Sequence, residues 1–177
     1  MAGAKPAAFP MDQHHKLAKA GGASLVDAAK YRSLVGRLVY LTITRPELAY
    51  SVHVLSQFMH DPKKDHWDAA LRVVRFVKGT LSRGLVIARS SSLELKGYTD
   101  SDWGRCPLTC RFVIGYFVTF GGTPVSWKTK KQVTVSKSSA EAEYRAMAML
   151  TSELVWLKAL LALLGVNYVR PIRVFNL

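Results

Sequence analysis

The chain has 177 residues, room for one domain or for a domain with a small helical piece attached. Apolar residues make up 49% of it, enough to fold, and 25 Lys and Arg stand against 12 Asp and Glu, a net charge of +13 that draws phosphate backbones or anionic head groups. The greasiest stretch, Leu154 to Val166, falls short of the ~20 residues of a membrane span and carries Lys158. The lead-in before Ser24 lacks the apolar core of a secretory signal, so the expectation is an intracellular chain, cytoplasmic or nuclear, without a membrane partner.

Residues 1–23, rich in Ala, Gly and Lys, read as a flexible lead-in. From Ser24 to about Leu81 the apolar positions recur at helical spacing: Tyr31, Leu34, Val35, Leu38 and Val39 outline a first helix. Pro46 suits a first turn but not a helix interior, so the Thr44-Arg45-Pro46 step restarts the chain. A second helix is predicted over about Glu47 to Met59. A third, capped by Asp61-Pro62, carries Trp67, Leu71, Val74 and Val77 to Gly79.

At Gly84 the period changes. Gly84–Ala88, Leu93–Asp102, Val113–Phe120 and Pro124–Lys128 read as strands, with Gly121-Gly122 as a hairpin turn. One long helix follows from Ser139 to Leu164, opened by the capping-box pattern of Ser138 and Glu141 and closed by Gly165. A last strand is predicted at Ile172–Phe175. Cys106 and Cys110 form a C-x3-C pair without a nearby His or second pair, which reads as loop thiols rather than a zinc site.

Two acidic places carry chemical interest. Asp100 and Asp102 end a strand, and Glu141 and Glu143 open the long helix. Two-metal phosphodiester hydrolysis needs carboxylates converging on ions ~3.5–4 Å apart, and a strand end and a helix first turn are rigid platforms for them. Residues two apart on a helix lie roughly 200° apart, so the two glutamates face opposite ways. Glu143 heads the apolar stripe of Ala146, Met147, Leu150, Leu154, Leu157 and Leu161, where an acid needs a partner or a metal. Glu141 closes the capping box instead. Strand alternation puts Asp100 and Asp102 on one face, opposite Leu93 and Leu95, which is awkward if the long helix docks on the leucine face.

Five stretches extend this reading: Tyr31–Glu47 (YRSLVGRLVYLTITRPE), His66–Thr80 (HWDAALRVVRFVKGT), Gly97–Gly104 (GYTDSDWG), Ser126–Gln132 (SWKTKKQ) and Ser138–Ala148 (SSAEAEYRAMA). In these the sequence resembles the Ty1/copia class of long-terminal-repeat retrotransposon polyproteins, from about Phe9 through Leu164 and in the family's order. The resemblance implies that residues 24–83 are the helical tail of a reverse transcriptase region. Residues 84–177 would be the N-terminal part of a ribonuclease H domain, which degrades the RNA strand of an RNA–DNA hybrid. The expected fold is therefore α/β: an incomplete ribonuclease H-like mixed sheet with one long helix, preceded by an all-helical segment.

Carried over by motif, the family's first metal-binding aspartate falls on Asp100 and its glutamate on Glu143, implying Mg²⁺ as the cofactor. The family's Cys-Asp-Asn, source of the next ligand, should follow the last strand. Here Val174-Phe175 is followed by Asn176-Leu177, and a fourth ligand is missing too, so the metal site is expected to be incomplete. The stretch from Pro107 to Tyr116 also departs from the family's Thr-Arg-Arg-Ser-x-x-Gly-Tyr, and the polymerase core is absent. Lys128, Lys130, Lys131 and Lys137 either hold nucleic-acid phosphates or solubilise a strand edge. Three functions follow: a ribonuclease H, a basic nucleic-acid-binding module that has lost the chemistry, or a non-functional relic.

Overall fold

A computed structural model describes residues 3–12, 15–87, 89, 93–102 and 111–177. It divides into two compact units, Met1–Leu85 and Val86–Leu177.

The first unit is helical. Helix α1 (Ala28–Leu41) starts where the Asp27 carboxylate accepts from the Lys30 N–H at 2.9 Å, and it buries Tyr31, Val35 and Leu38. Pro46 opens a 3-10 turn, Pro46–Leu48, which leads into α2 (Ala49–Ser56), so the continuous helix expected from Glu47 to Met59 is shorter and begins tighter. Tyr31 ties the two helices together, donating its hydroxyl to the Leu55 carbonyl at 2.8 Å inside the core. Burial pushes that phenol well above its ordinary value and keeps it a donor. Buried Arg45 reaches across to the end of the next helix, donating to the Thr80 carbonyl and hydroxyl at 3.1 and 2.7 Å.

Helix α3 (Lys64–Gly79) buries His66, Ala70, Val73 and Phe76. Asp61 does not cap it. Its carboxylate binds the Ser24 hydroxyl and Lys63, while the Lys63 N–H is satisfied by His66 Nδ1 at 2.9 Å. That fixes the His66 tautomer: Nε2 carries the proton and donates to the Leu17 carbonyl at 3.0 Å. The lead-in, expected to be flexible, is thereby anchored. Leu17 is buried, Asp12 pairs with Arg72 at 2.7 Å, and the Ala4 carbonyl accepts from Lys78 at 3.0 Å. Composition predicted mobility, but Leu17, Ala7 and Met11 packed on the helical core and several polar contacts along α3 hold it.

The second unit is a four-stranded mixed sheet with one long helix. Its elements are β1 (Leu95–Asp102), β2 (Val113–Phe120), β3 (Thr123–Lys131), α4 (Ser139–Leu163) and β4 (Arg173–Asn176). The sheet order is β3-β2-β1-β4, with antiparallel β1–β2 and β2–β3 pairs and a parallel β1–β4 pair, α4 leading from β3 into β4. Gly121 and Gly122 take φ of 60° and 82° in the β2–β3 turn, a backbone that side chains with Cβ adopt at a cost. The strand expected at Gly84–Ala88 does not form over Gly84–Ile87, and Ala88 lies outside the described residues. Apolarity suggested it, yet Val86 and Ile87 are 78% and 85% exposed, with no ladder to join.

Alternation sorts the sheet. Leu95, Gly97 and Thr99 of β1 and Ile114, Tyr116 and Val118 of β2 point to α4, which answers with Ala142, Ala146, Leu150, Leu154 and Leu157. The helix therefore does dock on the leucine face. By length and composition it is also apolar enough to cross a membrane, although its sides away from the sheet carry Glu141, Arg145 and Lys158.

Candidate functional site

Asp100 lies near the C-terminal end of β1, exposed, with Lys96 and Tyr98 on the face that α4 does not cover. Its cross-strand partner is Gly115, where a Cβ would meet nothing within 4 Å, so the space beside the carboxylate is open. On the other side β4 presents Asn176 and Leu177. Asn176 pairs with Thr99, and the Leu177 N–H donates to the Thr99 carbonyl at 3.0 Å. Neither residue is acidic. The Asp102 side chain and Trp103 lie outside what the structure describes, as do Cys106 and Cys110.

Glu143 is half-buried in the second turn of α4, next to Ala142, which heads the docked stripe. Ala142 and Ala146 beside it pack on Phe112 and Ile114, and Ile114 pairs with Ser101. Glu143 and Asp100 thus occupy the same end of the sheet but belong to different faces of it. Glu141 has a structural task. Its carboxylate accepts from the Lys137 N–H at 2.7 Å and from Arg145 at 2.8 Å, and the Ser138 hydroxyl caps its own N–H at 3.1 Å. The Lys137 N–H first, then Arg145, hold the Glu141 carboxyl below its ordinary value.

The lysine cluster divides. Lys128 and Lys130 pair with Tyr116 and Ile114, so both stand exposed on the helix side of edge strand β3. Lys131 pairs with Val113 and falls on the opposite face. Neighbours in a strand alternate, so adjacency in sequence did not mean one patch. Lys137 is exposed in the loop before α4, close to Arg145, which also donates to Thr134 at 3.2 Å.

One feature of the open face was not anticipated. Trp127, Phe117, Tyr98 and Phe175 are cross-strand partners in turn, one on each of β3, β2, β1 and β4. Tyr98 stacks on Phe175 with ring centroids 5.1 Å apart and tilts toward Phe117 at 6.4 Å. Each aromatic was visible in the sequence, but only the strand order and register line them up. Beside them Glu94 accepts from Lys96 at 3.0 Å and lies 3.7 Å from Arg173, and Lys96 foremost keeps its carboxyl below the ordinary range.

Over 168 residues, 95% of its length, the chain is 44% identical to the retrovirus-related Pol polyprotein from transposon RE2 of Arabidopsis thaliana, and 42% identical to that from transposon RE1. The chain belongs to the Ty1/copia-type retrotransposon Pol polyproteins. It spans about an eighth of those two relatives, 12% of each. A short relative, secreted RxLR effector protein 161 of Plasmopara viticola, is 45% identical over 72% of this chain and 90% of its own length. No protein-family model and no solved structure matches the chain.

Within this Pol segment the fit of a metal can be judged from the donors themselves. Among the described residues no three His, Cys, Asp or Glu side chains come together to hold an ion. Asp100 and Glu143 give two carboxylates on different faces of the sheet, and Asn176 at the end of β4 adds an amide beside Thr99. The described donors alone fall short of the about six oxygen ligands that each of two Mg²⁺ ions needs.

Proposed function

We propose that this Pol segment joins the end of a reverse transcriptase region, up to about residue 83, to the first part of a ribonuclease H-like domain, and that alone it binds nucleic acid without cleaving it. The order of elements supports the first half: three antiparallel strands, a long helix, then a strand parallel to β1, as the family resemblance implies. The observation that carries the second half is the donor set among the described residues, because the cross-strand neighbour of Asp100 is Gly115 and Glu143 belongs to the other face of the sheet. Binding rests on charge. The second unit has twelve Lys and Arg against six Asp and Glu, with Lys128 and Lys130 exposed along an edge strand.

The test is incubation of the purified chain with an RNA–DNA hybrid and Mg²⁺. No cleavage is expected, together with binding whose log affinity falls linearly with log salt. Mg²⁺-dependent cleavage that Asp100→Asn abolishes would overturn the non-catalytic reading. Binding indifferent to salt would remove the phosphate-driven one.

A further inference from the structure

We infer that the sheet face opposite α4 is a stacking platform for single-stranded nucleic acid, on which the Phe175 and Tyr98 rings take bases while Arg173 and Lys96 meet the phosphates. The inference rests on the nucleic-acid-binding reading above and assigns it a place and a class of ligand. Four aromatic side chains, Trp127, Phe117, Tyr98 and Phe175, form one row across all four strands, and neighbouring strands are ~4.8 Å apart. Phe175 sits at the outer end of the row on β4, 39% exposed, with its inner ring face taken by Tyr98. Its outer face is the surface a base would meet. Stacking suits any base, because every base has a π-face, and it requires bases that are not already paired in a duplex.

The charges on this face decide the polarity of the ligand. Among the described side chains of this face, Lys96, Lys131 and Arg173 stand against Glu94 and Asp100. Lys96 and Arg173 flank the outer end of the row, and both approach one carboxylate, Glu94, so two cations share a single anion there. The Arg173 side chain is 71% exposed and 3.7 Å from Glu94, a loose contact that a phosphate oxygen can replace. Asp100 lies farther along β1, at the opposite end of the row's strand from Glu94, which favours a path over β4 and the Lys96 end of β1.

The experiment uses the full chain and three labelled probes of equal length: oligothymidylate, an abasic oligomer with the same backbone, and a duplex. Anisotropy titrations should show oligothymidylate binding roughly 5- to 150-fold more tightly than the abasic strand, the range one stacked base supplies. Phe175→Leu, which keeps apolar volume on the edge strand but removes the ring, should erase most of that difference while duplex binding stays the same. Equal affinity for the base-bearing and abasic strands overturns the stacking platform and leaves the phosphate-driven reading standing. No binding to any probe overturns both. Should Phe175→Leu fail to fold, the abasic comparison on the unaltered chain decides.

Discussion

At Gly97 a single methyl group has nowhere to go. A Cβ there would lie 2.9 to 3.2 Å from Leu150 Cδ1, Cδ2 and Cγ, where α4 rests on β1. Gly97→Ala should therefore lift the helix or force Leu150 off its rotamer, at a cost of ~1–3 kcal/mol. Chemical denaturation measures it, and Leu150→Val in the same background should recover part of the loss. Additive effects of the two changes would show that the close approach is not what the glycine serves. Glu141 yields a pH dependence with a definite sign. Its carboxyl is held below the ordinary glutamate value of 4.5 by the Lys137 N–H and then Arg145. A depressed carboxyl contributes stability that is fully present above its unfolded value and is lost as pH falls through the folded one. Glu141→Gln should thus melt lower than the parent at neutral pH, and the gap should close under acid conditions. A gap that persists unchanged in acid would assign the loss to something other than the charge.

The lead-in behaves as an element although it has almost no regular structure. Leu17 is buried, its carbonyl accepts from His66 Nε2, and Asp12 and Ala4 contact Arg72 and Lys78 of α3. Deleting residues 1–20 should expose that strip of α3 and forfeit roughly 1.5–3 kcal/mol for the leucine alone. Amide hydrogen exchange along Lys64–Gly79 should speed up by about tenfold or more. Unchanged protection would mean that the lead-in merely rests there. The sequence spoke clearly where one local rule decides. Ser138 and Gly165 bracket α4, and the observed helix ends one residue short of expectation, with Gly165 at φ 80°. The 3.6-residue count put Glu143 at the head of the docked stripe; the buried stripe runs Ala142, Ala146, Leu150, Leu154 and Leu157, with Glu143 half-buried at its edge. It was silent or misleading where partners decide. A strand at Gly84–Ala88 needed a neighbour, β3 ran on to Lys131 because β2 offered a ladder that far, and Asp61 preferred Ser24 and Lys63 to a capping role. The site divides along the same line. Asp100 and Glu143 stood out in their motifs and local periodicity assigned each a face, but the reach of β3 to Lys131 and the aromatic row depend on register across strands far apart in sequence.

For the molecule as a whole, the surface of α4 sets the balance between solubility and association. The helix buries one stripe on the sheet and has a second apolar stripe on its outer side. Val155, Trp156 and Leu163 are 64%, 56% and 85% exposed, and residues 155, 156, 159 and 163 share one side at helical spacing. Val174 and Phe175 add apolar surface at β4. A net charge of +13 opposes association at low salt by like-charge repulsion, which salt screens over a Debye length of ~10 Å at 0.1 M. Contiguous apolar patches of this kind drive self-association once repulsion is screened. Each large side chain that becomes covered contributes roughly 1.5–3 kcal/mol, so two or three suffice to offset part of the entropic cost of pairing two chains. Sedimentation velocity should therefore show the chain shifting toward oligomers as salt is raised, the reverse of what an association driven by opposite charges would do. Trp156→Lys places a charge at the centre of the outer stripe and touches neither the docked leucines nor the open sheet face. It should restore the monomer at high salt while leaving the melting temperature nearly unchanged. A parent chain that stays monomeric at every salt concentration, or a Trp156→Lys chain that associates as strongly as the parent, would place the apolar driving force elsewhere or deny it altogether.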